Sequence, residues 1–182
     1  LESIHWQALL GGNQDVSEMV LALSQYYRLC LNKGQDIVPL SQELEHTRNY
    51  VKIQNMRFDD ILEVEYHIPD ELMEMRLPKI TLQPLVENAI YHGIKPLAGR
   101  KGHVVISGTI GETETILTVS DNGAGMSQEA IHRLNDTMDV LINDGSYGVK
   151  NVHQRLTIRY GAGYGLHYDR NQDGGITVTI RL

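Results

Sequence analysis

The hydrophobic period of this chain changes at residue 61, and that change bounds what the chain can fold into. Before it, Val16, Met19, Val20, Leu23, Tyr27 and Cys30 recur at helical spacing, and Lys33-Gly34 stops the run. Leu40, Leu44, Thr47, Val51 and Phe58 then resume it at near-heptad intervals, with Ser41 a candidate cap. Two amphipathic helices joined at Gly34 and Pro39 predict a helical hairpin, although two ordinary core helices would show the same spacing. After residue 61, Leu62, Val64 and Tyr66 alternate with Glu63, Glu65 and His67, which is the period of a half-buried strand, ended by Pro69. A helix is expected over Leu82 to Ile90, with Pro84 in its first turn. Strands are expected over Val104 to Ile110 and Thr115 to Ser120. Further helices are expected over Ser127 to Leu141, capped by Ser127, and Val149 to Tyr160. A closing hairpin joins Leu166-Tyr168 to Ile176-Leu182 through Asn171-Gln172-Asp173-Gly174-Gly175. This order predicts an α+β fold, a mixed sheet with helices on one face, preceded by a helical hairpin. The boundary falls at Asp59-Asp60, dividing the chain into residues 1–60 and 61–182.

A chain of 182 residues, 41% hydrophobic, is enough for one compact domain with a helical extension. The formal net charge of −7 argues against non-specific binding to nucleic acid or to an anionic membrane surface. A single cysteine, Cys30, leaves no disulfide framework and fits a reducing compartment. No apolar run approaches a membrane span. The chain opens at Leu1, already inside an apolar-periodic stretch, and so reads as cut from a longer protein.

Three short segments carry chemistry. In Leu82-Gln83-Pro84-Leu85-Val86-Glu87-Asn88-Ala89-Ile90-Tyr91-His92-Gly93, an asparagine inside a helix has poor propensity. Its carboxamide offers a neutral oxygen to Mg²⁺, a cation that keeps waters and shares phosphate oxygens. Alone, such a residue is more often a surface asparagine. In Val119-Ser120-Asp121-Asn122-Gly123-Ala124-Gly125-Met126, a carboxylate at a strand end can accept from an exocyclic amine. The glycines beside it admit a ligand to the backbone. A tight turn explains the same residues. In Asp144-Gly145-Ser146-Tyr147-Gly148-Val149-Lys150-Asn151-Val152, a glycine-bearing loop feeds a helix N-terminus, whose free N–H groups suit phosphate. A loop before an ordinary helix reads identically, and the segment is not a P-loop.

The order of the three is more specific than any one of them. An asparagine helix, two strands, an Asp-x-Gly-x-Gly turn, a variable stretch and a glycine-bearing helix start resemble the N, first Gly and second Gly boxes. Those boxes mark the Bergerat-type ATPase domain shared by histidine kinases, HSP90-type chaperones and type II topoisomerases. Within that group the chain is similar to LytS/YesM-type sensor histidine kinases. The likeness rests on the asparagine segment, on Leu44-Glu45-His46 leading to Tyr50-Val51-Lys52-Ile53-Gln54 and Arg57-Phe58, and on Asn151-Val152, Arg155-Leu156 and Tyr160-Gly161.

The resemblance implies cofactors ATP and Mg²⁺. Asn88 would ligate the metal and Asp121 would accept from the adenine amine. Gly123 and Gly125 would make room beside the base. His92 would neighbour phosphate, though a hydrogen-bonded structural histidine reads the same, and Gly148, Val149 and Lys150 would touch phosphate. The stretch from Gln128 to Ser146 would act as a lid. The implied reaction transfers the γ-phosphoryl of ATP to a histidine in a His-Phe-Leu-Tyr-Asn segment before Leu1, for relay to a response regulator. No catalytic residue is then expected within the chain, and His5 and His46 are decoys. The parent would be a homodimer anchored in a membrane with this part in the cytoplasm. Four positions depart from the pattern: Ser146 replaces a glycine, Ile176 a threonine, Tyr91 a lysine, and Pro84 stands where the hydrolytic glutamate of the superfamily lies. Two other readings stand beside this one, a degenerate kinase that only dimerises and relays, and another ATPase of the superfamily.

Overall fold

A computed structural model describes residues 1–31, 34–97, 99–139 and 147–182. The chain opens with three helices, α1 (Glu2–Leu10), α2 (Gln14–Leu31) and α3 (Leu40–Arg57). Helix α2 spans the periodic run from Val16 to Cys30, and α1 is set off from it at Gly11-Gly12, where Gly12 takes φ +71. His5 of α1 then meets the Ser17 hydroxyl of α2 at 2.8 Å. Ser41 does not cap α3. Pro39 occupies the N-cap position, and the Leu40 and Ser41 amides donate instead to the carbonyls of Met75 and Met73.

The sheet contains β2 (Leu62–His67), β4 (Gly102–Ile110), β5 (Thr115–Asp121), β6 (Gly165–Arg170) and β7 (Ile176–Arg181), in the order β2-β4-β5-β7-β6. Only β2 and β4 run parallel. Register sets Ile106, Val119, Val178 and Tyr168 side by side across four strands. All four are buried, because alternation puts every second residue of each strand on the helix-covered face. The opposite face carries hydroxyl pairs, Ser107 with Thr118 at 2.6 Å and Ser120 with Thr177 at 2.8 Å.

A separate pairing, β1 (Ile37–Pro39) with β3 (Arg76–Pro78), joins the entry to α3 to the segment before α4 (Gln83–Asn88). Helix α3 therefore belongs to the core. Leu40, Leu44, Tyr50 and Val51 share one buried cluster with Leu85, Ile90, Ile106 and Leu156. The remaining helices are α5 (Gln128–Asp136) and α6 (Tyr147–Tyr160). Ser127 caps α5 by accepting from the Ala130 amide at 3.3 Å, and the helix ends at Asp136 rather than Leu141.

Helices α2 and α3 meet through a ring stack. Tyr26 lies over His46 with centroids 4.6 Å apart and planes at 14°. Burial holds the His46 imidazole below its ordinary 6.5. The folded chain thus favours the neutral ring, while the unfolded chain takes up a proton as pH falls through the ordinary value. The stability from this packing is complete above 6.5 and is lost as pH falls through it toward the depressed folded value. Between about pH 7.5 and about pH 5.5 the unfolding free energy from denaturant titration should fall more for wild type than for His46→Gln, by at most about 1.4 kcal/mol per pH unit. Parallel curves for the two proteins would refute it.

Candidate nucleotide site

The asparagine segment forms two kinds of turn. Helix α4 covers Gln83–Asn88 and passes into a π-helical turn over Ala89–Ile94, closed by the Lys95 amide on the Ile90 carbonyl at 2.9 Å. A π-turn adds a residue to the helical circuit and rotates the residues beyond it, a distortion common at functional sites. Here it presents Gly93 to the end of β5. The Gly93 carbonyl accepts from the Ala124 amide at 2.9 Å. A β-carbon on Gly123 would overlap the α-carbon of Gly93, so the two backbones touch.

Asp121 ends β5 with its side chain buried at 7% exposure. Its Oδ1 accepts from the Gly123 amide at 2.8 Å and the Ile176 amide at 3.4 Å. No described residue donates to Oδ2. Burial raises the carboxyl above its ordinary value, and the two amides pull it back. Behind it, the Asn171 amide nitrogen donates to the Asp121 carbonyl at 2.7 Å and the Ser120 hydroxyl at 3.0 Å. The carboxylate is thus fixed by backbone on one side, with one oxygen left for a donor on the other.

Between α4, the β5 end and α6 lies a cavity of about 260 Å³. Of the eight residues expected to bind ligand, Asn88, His92, Asp121, Gly125, Gly148 and Val149 line it. Gly123 does not line it but holds Asp121. Lys150 is buried in the first turn of α6 and is not among the lining residues. His92 is exposed at the rim and Asn88 is half-buried. Ile176 lines the cavity while Thr177 pairs with Ser120 on the other face, as alternation requires. Glu87 is exposed and lies outside the lining. Tyr91 packs against Phe58 and under the Lys95 ammonium, 4.5 Å from its ring centroid. The stretch expected to act as a lid, Gln128 to Ser146, is described only to Asp139. Positions 140–146, and with them the Ser146 departure, lie outside the described residues.

The sequence did not point to Tyr168, which occupies the cavity floor. Its backbone is held in both directions by the Asn135 carboxamide of α5, each bond 2.9 Å. Its buried hydroxyl meets no partner at hydrogen-bonding geometry among the described residues, although Asn88 lies beside it. The only cue in the sequence was alternation in β6, which places Leu166 and Tyr168 on the covered face.

A pocket with one half-satisfied buried carboxylate, largely apolar walls and the first turn of a helix at its edge suits a ligand with an amine at one end and anionic charge at the other. Residues 75–182 match the family model described as histidine kinase-, DNA gyrase B- and HSP90-like ATPase. The chain belongs to this ATPase family. Residues 1–62 match the histidine kinase model. Over its full length the chain is 31% identical to the sensor histidine kinase YesM of Bacillus subtilis, covering 30% of that protein. Over 93% of its length it is 34% identical to BtsS of Escherichia coli, covering 28% of that protein. It therefore spans about a third of the length of these relatives. In fold it resembles the histidine kinase domain of the Erythrobacter litoralis blue-light activated kinase, with TM-score 0.56 and 20% identity over 97% of this chain and 78% of that one. It also resembles AdeS of Acinetobacter baumannii, with TM-score 0.57 and 17% identity over 97% and 82%. The fold is thus the Bergerat-type α+β ATPase layer arrangement.

Proposed function

We propose that this chain is the ATP-binding catalytic part of a two-component sensor histidine kinase. The observation that carries the reading is the one cavity that Asp121, Asn88 and Gly148 all line, one residue from each of the three boxes. In this reading Oδ2 of Asp121 accepts from the adenine amine, and Gly125 lets the base approach the chain. The α6 N-terminus at Gly148 and Val149 faces phosphate, with His92 at the rim and Lys150 close behind. Asn88 offers one neutral oxygen, and no cluster of three or more acidic, histidine or cysteine side chains that could hold a metal occurs among the described residues. That donor set fits a magnesium ion that arrives with the phosphates rather than one caged by protein, and such an ion neutralises phosphate charge. The protein's own task is positioning, and phosphoryl transfer asks for little more.

The acceptor in this reading is a histidine outside these 182 residues. His5 is hydrogen-bonded to Ser17, and His46 is buried beneath Tyr26. Residues 1–60 act as part of the dimerisation segment, with α3 also packed into the core of the catalytic part, and 61–182 as the catalytic part of a homodimeric, membrane-anchored parent. The catalytic part lies in the cytoplasm and serves a response regulator. Among the described residues no helix is long and apolar enough to cross a membrane. The apolar residues exposed on α1 and α2, including Ile4, Trp6, Leu10 and Leu21, support a second helical surface packing there.

The test supplies γ-labelled ATP and Mg²⁺ to the chain alone and to the chain mixed with a peptide carrying the His-Phe-Leu-Tyr-Asn segment. Label is expected on the peptide and not on the chain. Phosphohistidine at His5 or His46 would refute the acceptor assignment. Absence of nucleotide binding at millimolar concentration would leave the degenerate relay.

A further inference from the structure

Glu43 lies on α3 at 2% exposure, a charged side chain removed from water. Its carboxylate accepts from three consecutive backbone amides, Ile80 at 2.5 Å, Thr81 at 2.8 Å and Leu82 at 3.2 Å. These amides lead directly into α4. Ile80 holds φ +57, which a β-branched residue rarely adopts, so the turn is strained and needs outside support. Support also comes from the opposite side. Arg155 of α6 donates to the Lys79 carbonyl at 2.5 Å and the Ile80 carbonyl at 2.9 Å. The turn over 79–82 is therefore gripped by an acid on its N–H groups and a base on its C=O groups. The two helices braced there, α4 and α6, carry Asn88 and Gly148 at the cavity. An apolar side chain of similar volume would fill the space but leave the three amides unpaired, so the carboxylate fixes the turn as well as packing beneath it.

We propose that Glu43 is a positioning residue of the nucleotide site, setting the start of α4 and through it the place of Asn88 at the far end, about 9 Å along the helix. The inference rests on the reading of Asn88 as a nucleotide-site residue. The same turn is also where α2 reaches the catalytic part. The Gln83 side chain, at the first position of α4, donates its Nε2 to the Tyr26 hydroxyl at 2.9 Å. Tyr26 in turn stacks on His46, three residues along α3 from Glu43. Contacts from both α2 and α3 therefore converge on the start of the helix that carries Asn88.

The experiment uses the 182-residue chain and a non-hydrolysable ATP analogue, titrated with Mg²⁺ and with chelator, for wild type, Glu43→Gln and Asn88→Ala. Hydrogen exchange is followed at residues 81–88 and in β5. The amide of Glu43→Gln keeps one oxygen but turns an N–H₂ toward backbone donors. Its Mg²⁺-supported affinity should fall about tenfold, with affinity in chelator nearly unchanged. Protection should be lost at 81–88 and kept in β5. Asn88→Ala should lose the Mg²⁺ increment with α4 still protected. If Glu43→Gln lowers the melting temperature but binds as wild type at temperatures where it is folded, Glu43 is merely structural and the proposal is overturned. If Asn88→Ala keeps the full Mg²⁺ increment, the assignment of Asn88 fails, and the proposal falls with it for that separate reason. Should Glu43→Gln not fold, Glu43→Asp decides. It keeps the charge one methylene short, and its expected loss is smaller but confined to the Mg²⁺ increment, so wild-type binding by Glu43→Asp overturns the proposal.

Discussion

Asp121→Ala should weaken ATP and ADP binding about 10- to 100-fold, the largest loss expected from any single side chain of the cavity. Two effects combine. The adenine amine loses a charged acceptor, which costs about 1.5–3 kcal/mol. The amides of Gly123 and Ile176 also lose the oxygen they now share, so the loop beside the base is no longer fixed. Because burial raises the carboxyl of Asp121, the ionised acceptor should be lost on acidification at a pH above the ordinary 3.8. Wild-type affinity should decline over that window, while the alanine variant should show no matching step. Calorimetry at several pH values measures both. Equal binding by the variant would remove Asp121 from the site.

Gly123→Ala should unfold or displace the same corner, costing on the order of 3 kcal/mol and abolishing nucleotide binding. Its β-carbon would overlap the Gly93 α-carbon and stand 2.6 Å from Asp121 Oδ1. Both neighbours are held, one by the π-turn and the other by backbone amides, so neither can give way cheaply. Gly148→Ala is the informative contrast. Among the described residues a β-carbon there meets only Pro84 at 3.7 Å, an ordinary contact, and stability should change by no more than about 0.5 kcal/mol. If phosphate approaches the α6 backbone at Gly148, nucleotide affinity should nevertheless fall. Denaturation and binding measured together separate the two glycines. A stable, binding-competent Gly123→Ala would mean that the Gly93–Gly123 approach is not required.

The period of the side chains carried the layout of this protein. Alternation in β2, β4, β5 and β7 is set by which face of each strand is buried, and that is visible in any half-buried strand. The three boxes were legible through their order and spacing, since a surface asparagine, a tight turn or a loop before a helix explains each one alone. Period could not show partners distant in the chain. The strands β1 and β3 are three residues each, too short for any alternation, and exist because they find one another 39 residues apart. Near-heptad spacing in α3 was compatible with a hairpin or a core helix, and tertiary packing put its apolar side into the sheet's own core. The break at Gly11-Gly12 is likewise a feature of the structure, accompanied by the contact between His5 and Ser17. Tyr168 read as one more strand residue until the register of β6 on β7 set it on the cavity floor. Nothing local marked Glu43 among the acidic residues of its helix. A carboxylate on an amphipathic helix reads as solvated surface, and only the turn that folds back over it, with its three free amides, makes it a buried brace.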